Sequence, residues 1–239
     1  MALRIAFDLD GVLADMESEL LRQAGIVLGE AEIQKLQQRV EPAPDPSADP
    51  SNDDVPPLFR LDLTPRQQRK LWRHVESIEN FWETLEELEP GVVSRLAQTA
   101  AERRWEIIFL TKRPECAGGT AQVQTQRWLR AKGFPLPSVY VVQGSRGRIA
   151  AALALDVVID DRPENCLDVI VDSPARAILV WRDDEKRLPP TARRLGLGIV
   201  HSVGQCLDIL TQIDESDRAG GGMMTKLKRL LGLKERAAV

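Results

Sequence analysis

The run Ile5-Ala6-Phe7-Asp8-Leu9-Asp10-Gly11-Val12-Leu13-Ala14-Asp15 places a short apolar strand directly ahead of two carboxylates and a glycine. Residues i and i+2 of a strand share a face. The spacing therefore predicts Asp8 and Asp10 side by side at the carboxyl end of a first strand. Open α/β sheets build their sites at that end. Adjacent carboxylates repel unless a cation lies between them or one holds a proton. Gly11 frees the backbone to turn sharply away. Taken alone, the run also fits an ordinary strand end and turn, since Asp and Gly are common turn residues.

Beyond residue 91, apolar runs alternate with helical patterns, which predicts a Rossmann-like α/β core with a parallel sheet and crossover helices. Strands are expected at 4–7, 106–110, 139–142, 156–159, 177–181 and 198–201. Helices are expected at 92–103, 122–132 and 149–155. Ser202 with Gln205 forms a capping box for a helix reaching about residue 213. Residues 15–90 have a different texture. Helical spacing runs through 16–40, and Thr64-Pro65-Arg66-Gln67 combines a cap, an N1 proline and an N3 glutamine. Asn80 with Glu83 fits a cap for the next short helix. This insert reads as a small helical lid on a core made of 1–14 and 91–213.

Within the lid, 41–57 is rich in proline and acids and offers nothing apolar to bury, so it reads as a flexible excursion. From 214 to 239 the pattern decays through Gly220-Gly221-Gly222. Residues 223–236 then form a basic amphipathic segment. It reads as a solvated tail, with binding to an anionic surface or a partner as the alternative.

The chain has 239 residues, 43% of them hydrophobic, which is enough for a buried core. Its formal net charge of −4 gives no reason to expect a nucleic-acid polymer as partner. Cys116, Cys166 and Cys206 are scattered and read as reduced thiols of a cytoplasmic protein. His74 and His201 form no ligand pair. The first residues run straight into the first strand, so no signal peptide or membrane span is expected.

Three further stretches follow the first run in order. Ile107-Ile108-Phe109-Leu110-Thr111 is an apolar strand ending in a hydroxyl. Arg146 and Arg148 lie next. Val157-Val158-Ile159-Asp160-Asp161 is an apolar strand ending in paired acids. Together the four elements resemble the four motifs of haloacid dehalogenase superfamily phosphatases, and the likeness covers most of residues 1–213. Within that superfamily, Thr111-Lys112-Arg113-Pro114, Asp160-Asp161-Arg162-Pro163 and Asn80-Phe81-Trp82 ahead of Pro90-Gly91 look most like the 5'(3')-deoxyribonucleotidase family.

The resemblance implies a Mg²⁺-dependent phosphomonoesterase acting on a small phosphorylated substrate, with nucleoside monophosphates as the narrower expectation. Asp8 would be the nucleophile, and Asp10 the acid and then the base. Mg²⁺ would be held by the Asp8 carboxylate, the Asp10 backbone carbonyl and Asp160, with Asp161 supporting that shell or serving as a cap. Thr111 would donate to a phosphoryl oxygen. The motif-three lysine is replaced by Arg146 or Arg148, and arginine is not a neutral swap for lysine. Lys112 and Arg113 would line the rim and touch substrate. Phe81 and Trp82 resemble aromatics that stack on a base, with one of them expected in the lid core. The alternatives are a phosphatase for another small metabolite and a catalytically silent ligand-binding relative.

Overall fold

A computed structural model describes residues 3–38, 63–183, 187–194 and 196–218. Nine α-helices and six strands follow one another there, besides a single 3-10 turn at Phe81–Glu83: β1 (Arg4–Asp8), α1 (Met16–Leu28), α2 (Glu30–Gln38), α3 (Pro65–Ser77), α4 (Val92–Arg103), β2 (Glu106–Thr111), α5 (Ala121–Ala131), β3 (Ser138–Val141), α6 (Arg146–Ala152), β4 (Val157–Asp160), α7 (Pro163–Asp172), β5 (Arg176–Val180), α8 (Pro190–Arg194), β6 (Gly198–Val200) and α9 (Val203–Arg218). The strands form one sheet in the order β3-β2-β1-β4-β5-β6. Every pairing is parallel. The expected α/β class and all six expected strands are present.

Side-chain alternation builds both faces of this sheet. Ile5, Phe7, Ile107, Phe109, Val157, Ile159, Ile178 and Val180 face a core completed by α4, α5 and α9. Ala6, Leu110, Val158, Ala177 and Leu179 face a second core with α6, α7 and α8. Fully burying a side chain such as Phe7 contributes about 1.5–3 kcal/mol. The helices change sides between β1 and β4. That switch leaves a crevice beyond the carboxyl ends of those two strands.

The helical region after β1 fits the expected cap. Thr64 and Gln67 form the reciprocal capping box that starts α3. Asp15 is the N-cap of α1, its carboxylate accepting from Ser18 N at 3.0 Å. The chain's exit to the cap and its return run side by side. Asp15 N donates to Glu86 O, and Leu88 N donates to Leu13 O, both at 2.9 Å. Asn80 does not cap with its side chain. Its backbone is left-handed, and its Oδ1 accepts from Gly119 N at 3.0 Å, so the amide ties the return segment to the loop before α5.

Further differences concern the helices. Two that the sequence did not lead one to expect, α7 and α8, lie in the crossovers from β4 to β5 and from β5 to β6, and α6 begins at Arg146 rather than at 149. α9 runs to Arg218, past the expected end at 213. The expected excursion at 41–57 and the basic segment at 223–236 lie outside the described residues. Among the described residues, no helix is long and apolar enough to cross a membrane.

Candidate active site

β1 ends at Asp8 and β4 ends at Asp160, next to each other across the switch point. Asp8, Asp160 and Asp161 each bring a carboxylate oxygen within 4.8 Å of the others. Gly11 makes room for this. Its φ is +82°, and a Cβ there would lie 2.0 Å from Asp161 Oδ2. Any other residue would therefore be both strained and in collision with the acid.

The environment favours the protonated acids. Burial pushes the Asp8 carboxyl well above its ordinary range, with Asp160 adding to the effect and Arg146 opposing it. Burial also raises Asp160, against the pull of Arg146, Arg162 N and Asn165. Asp161 is pushed up to about 8 by burial and then by the charge of Asp160. Two buried acids and a partly buried third at this separation form a candidate cation site, because a hard cation is the counter-charge that such an oxygen donor set suits.

Asp160 is fixed from behind. Its Oδ1 accepts from Arg162 N at 2.9 Å, and Asn165 Nδ2 donates to both of its oxygens at 3.0 Å. Asn165 stands in the first turn of α7. It was findable, since Pro163 marks a helix start and an amide two residues later can reach back to the preceding strand end.

α6 settles where the two arginines lie. Ser145 caps it, accepting from Arg148 N at 3.1 Å. Gly147 presses against α7, where a Cβ would sit 2.2 Å from the Asp168 carbonyl oxygen. Asp168 holds that contact by accepting from Ser145 Oγ and from Gly147 N. In this register Arg146 is buried. Its Nη2 donates to Asp8 Oδ1, and its Nε lies 3.7 Å from Asp160 Oδ2. Its Nη1 has no hydrogen-bond partner among the described residues. Arg148 points the other way, its side chain 85% exposed and 3.9 Å from Asp172. The structure thus brings Arg146 to the acids and leaves Arg148 on the surface.

Asp10 lies past the end of β1, so strand alternation does not carry it to Asp8. Its carboxylate turns to Arg113, which donates through Nε at 3.0 and 2.9 Å and through Nη2 at 2.7 Å. Thr111 Oγ donates to Asp10 at 3.4 Å and accepts from Arg113 N at 3.2 Å. Arg113 is wholly buried rather than on the rim, whereas Lys112 is exposed. Phe81 and Trp82 are both fully buried. Their rings meet edge to face at 4.9 Å, and Trp82 covers the Arg113 guanidinium at 4.9 Å.

A second unexpected network supports the loop after β1. Arg182 donates to the Gly11 carbonyl at 2.5 Å and to the Val12 carbonyl at 3.1 Å. It also pairs with Glu89 at 2.7 Å. Glu89 in turn accepts from Val203 N and Gly204 N at the start of α9. Nothing local in the sequence joins Arg182 to Gly11, because the contact spans 171 positions.

The sequence matches no family model and no curated protein. Solved structures do match. One is described as a predicted phosphatase from Clostridium acetobutylicum, with a TM-score of 0.52, 13% identity, and coverage of 89% of this chain and 99% of that one. Another is a haloacid dehalogenase-like family hydrolase from Streptococcus pneumoniae, with a TM-score of 0.50, 14% identity, and coverage of 87% and 98%. A third is a dehalogenase in an intermediate complex, with a TM-score of 0.51, 12% identity, and coverage of 87% and 96%. With its parallel sheet, its helical insert after β1 and its acids at the ends of β1 and β4, the chain has the haloacid dehalogenase fold.

Proposed function

We propose that this protein is a Mg²⁺-dependent phosphomonoesterase working through an aspartyl-phosphate on Asp8. The observation that carries this reading is the meeting of Asp8, Asp160 and Asp161 with a buried Arg146 whose Nη1 has no hydrogen-bond partner among the described residues. A buried donor left unpaired costs about 1–3 kcal/mol. A phosphoryl oxygen bound beside Asp8 would recover that cost.

The donor set fits Mg²⁺, a hard cation that takes carboxylate and carbonyl oxygens. Asp8, Asp160 and the Asp10 carbonyl would hold it, with Asp161 supporting. When bound, the cation offsets the charge of the acids and of the phosphoryl group. The protein's own groups do the rest. The Asp8 carboxylate attacks phosphorus, and the bond to the leaving oxygen breaks with its electron pair on that oxygen. Asp10 supplies the proton. Water then attacks the phosphorus and gives its proton to Asp10, and the bond to Asp8 breaks to release phosphate. Arg146 and the Thr111 hydroxyl take phosphoryl oxygens throughout.

For the substrate we infer a small phosphomonoester. The nucleotidase-like motifs support a nucleoside monophosphate. The burial of Phe81 and Trp82 supports the wider class, since neither ring is open to stack on a base. The Asp8/Asp10 pair is intact, which argues against a silent relative. Residues 15–90 act in this reading as the cap. The three free cysteines fit a reducing, cytoplasmic setting.

The test is a panel of nucleoside monophosphates, sugar phosphates and an aryl phosphate, each with Mg²⁺ and with chelator. Metal-dependent hydrolysis that favours nucleotides is expected. Preference for sugar phosphates would retire the nucleotidase reading and keep the phosphatase. No hydrolysis of any member would overturn both.

A further inference from the structure

We propose that Arg113 is a positioning residue for Asp10, held in place by an aromatic box that includes a residue of the segment returning from the cap. This inference rests on the phosphatase reading and assigns Arg113 a different task from substrate contact.

The guanidinium has no freedom to reach a ligand. Its Nε and Nη2 engage Asp10, and its Nη1 donates to Thr125 Oγ1 at 3.0 Å. Trp82 lies 4.9 Å and Trp128 5.9 Å from its central carbon. Both indoles are themselves anchored. Trp82 Nε1 donates to the Pro114 carbonyl at 2.9 Å, and Trp128 Nε1 donates to the Leu85 carbonyl at 2.7 Å. Gln124 accepts from Trp82 N at 3.1 Å, which fixes the backbone of the same turn. Rigid π faces over a buried guanidinium add attraction and remove rotamers.

What this serves is aim. Asp10 stands beyond the strand, so ladder hydrogen bonds do not fix its side chain, which is 13% exposed. A proton-transfer group works only within about 2.6–3.2 Å of its target. Two-point contact from a locked fork sets both the rotamer and the plane of the carboxylate. Asp10 Oδ2 keeps lone-pair capacity for the transferred proton, because its other contact, from Thr111, is long. Trp82 and Leu85 both belong to the stretch that returns from the cap. The box therefore ties that segment to the acid.

The experiment separates aim from fold by the leaving group. An alkyl phosphate needs a proton as its P–O bond breaks. An activated aryl phosphate leaves as a stable phenolate and needs none in that step. The quantity read is kcat/KM, which stops at formation of the phosphoryl enzyme. The ratio of the two substrates on one preparation cancels any loss of folded protein.

In Arg113→Met the alkyl substrate should lose about 100-fold and the aryl substrate less than about fivefold, in line with typical general-acid contributions. Arg113→Lys should restore part of the alkyl rate. On the alkyl substrate, Asp10→Asn with Arg113→Met should be no worse than Asp10→Asn alone. Thr125→Val, which removes one anchor of the fork, keeps the question open to measurement if Arg113→Met does not fold. It should shift the ratio in the same direction by a few-fold. Equal losses on both substrates, or additive losses in the double variant, would overturn the positioning role. A parent inactive on both substrates would overturn the phosphatase reading and this inference with it.

Discussion

At the scale of single residues, the site is a contest between burial and charge. Asp8, Asp160 and Asp161 are driven toward the neutral form chiefly by burial. The consequence for stability has a definite sign. A carboxyl raised in the folded state holds its proton over a range where the unfolded chain has released it. Its contribution is therefore complete below the ordinary value of 3.8 and is lost as pH rises, for Asp161 toward about 8. A divalent cation held by the deprotonated cluster, as proposed above, would reverse the penalty. Mg²⁺ should accordingly raise the thermal midpoint more at pH 8 than at pH 5, and Asp160→Asn should remove most of that increment. An increment larger at pH 5, or unchanged in Asp160→Asn, would place the cation elsewhere. Strand-end acids such as Asp8 and Asp160 are legible in a sequence because the apolar run and its terminus are local. The partner of Asp10 is not, since Arg113 lies 103 positions away. Nor is the burial of Phe81 and Trp82, which depends on how the turn after Asn80 meets α5.

At the scale of elements, apolar runs placed all six strands within a residue or two, because β1, β2, β4 and β5 are buried on two faces and read as unbroken runs, while the edge strand β3 buries only Val139. Helix starts were harder. α6 begins at Arg146 rather than at 149, because the Ser145 cap and the Gly147 contact with α7 fix its first turn. That shift puts Arg146, and not Arg148, beside the acids. Residues two apart on a helix face different ways, so only one of Arg146 and Arg148 can reach Asp8. Arg146→Ala should cost about 10²–10³ in kcat, as expected for a lost phosphate-stabilising group in a dry site. Arg148→Ala should cost little, since an exposed pair contributes roughly 0–1 kcal/mol. Comparable losses in the two variants would contradict this register. α7 is harder to read because Val169, Ile170 and Val171 form a β-branched run that suits a strand as well as a helix, although Pro163 marks its start.

At the scale of the whole molecule, the order of the strands makes the site. β1 and β4 lie adjacent but are separated in the chain by the cap, the crossover helices α4, α5 and α6, and the strands β2 and β3. That arrangement brings the first and fourth motifs to one crevice, with Arg146 entering from α6. The Arg182–Glu89 pair extends it, linking the loop after β1 to the start of α9 beside the paired segments that lead to and from the cap. The fold class was legible because alternation of strands and helices implies a parallel sheet. The long-range pairs were not, because contact across a fold leaves no spacing to read. In the proposed mechanism Asp8 carries the phosphoryl group, and acid-quenching the protein during turnover of a radiolabelled phosphomonoester with Mg²⁺ would trap it there. Label is expected on the Asp8 peptide of the parent, with both label and turnover lost in Asp8→Asn. Turnover by Asp8→Asn within about tenfold of the parent would contradict it.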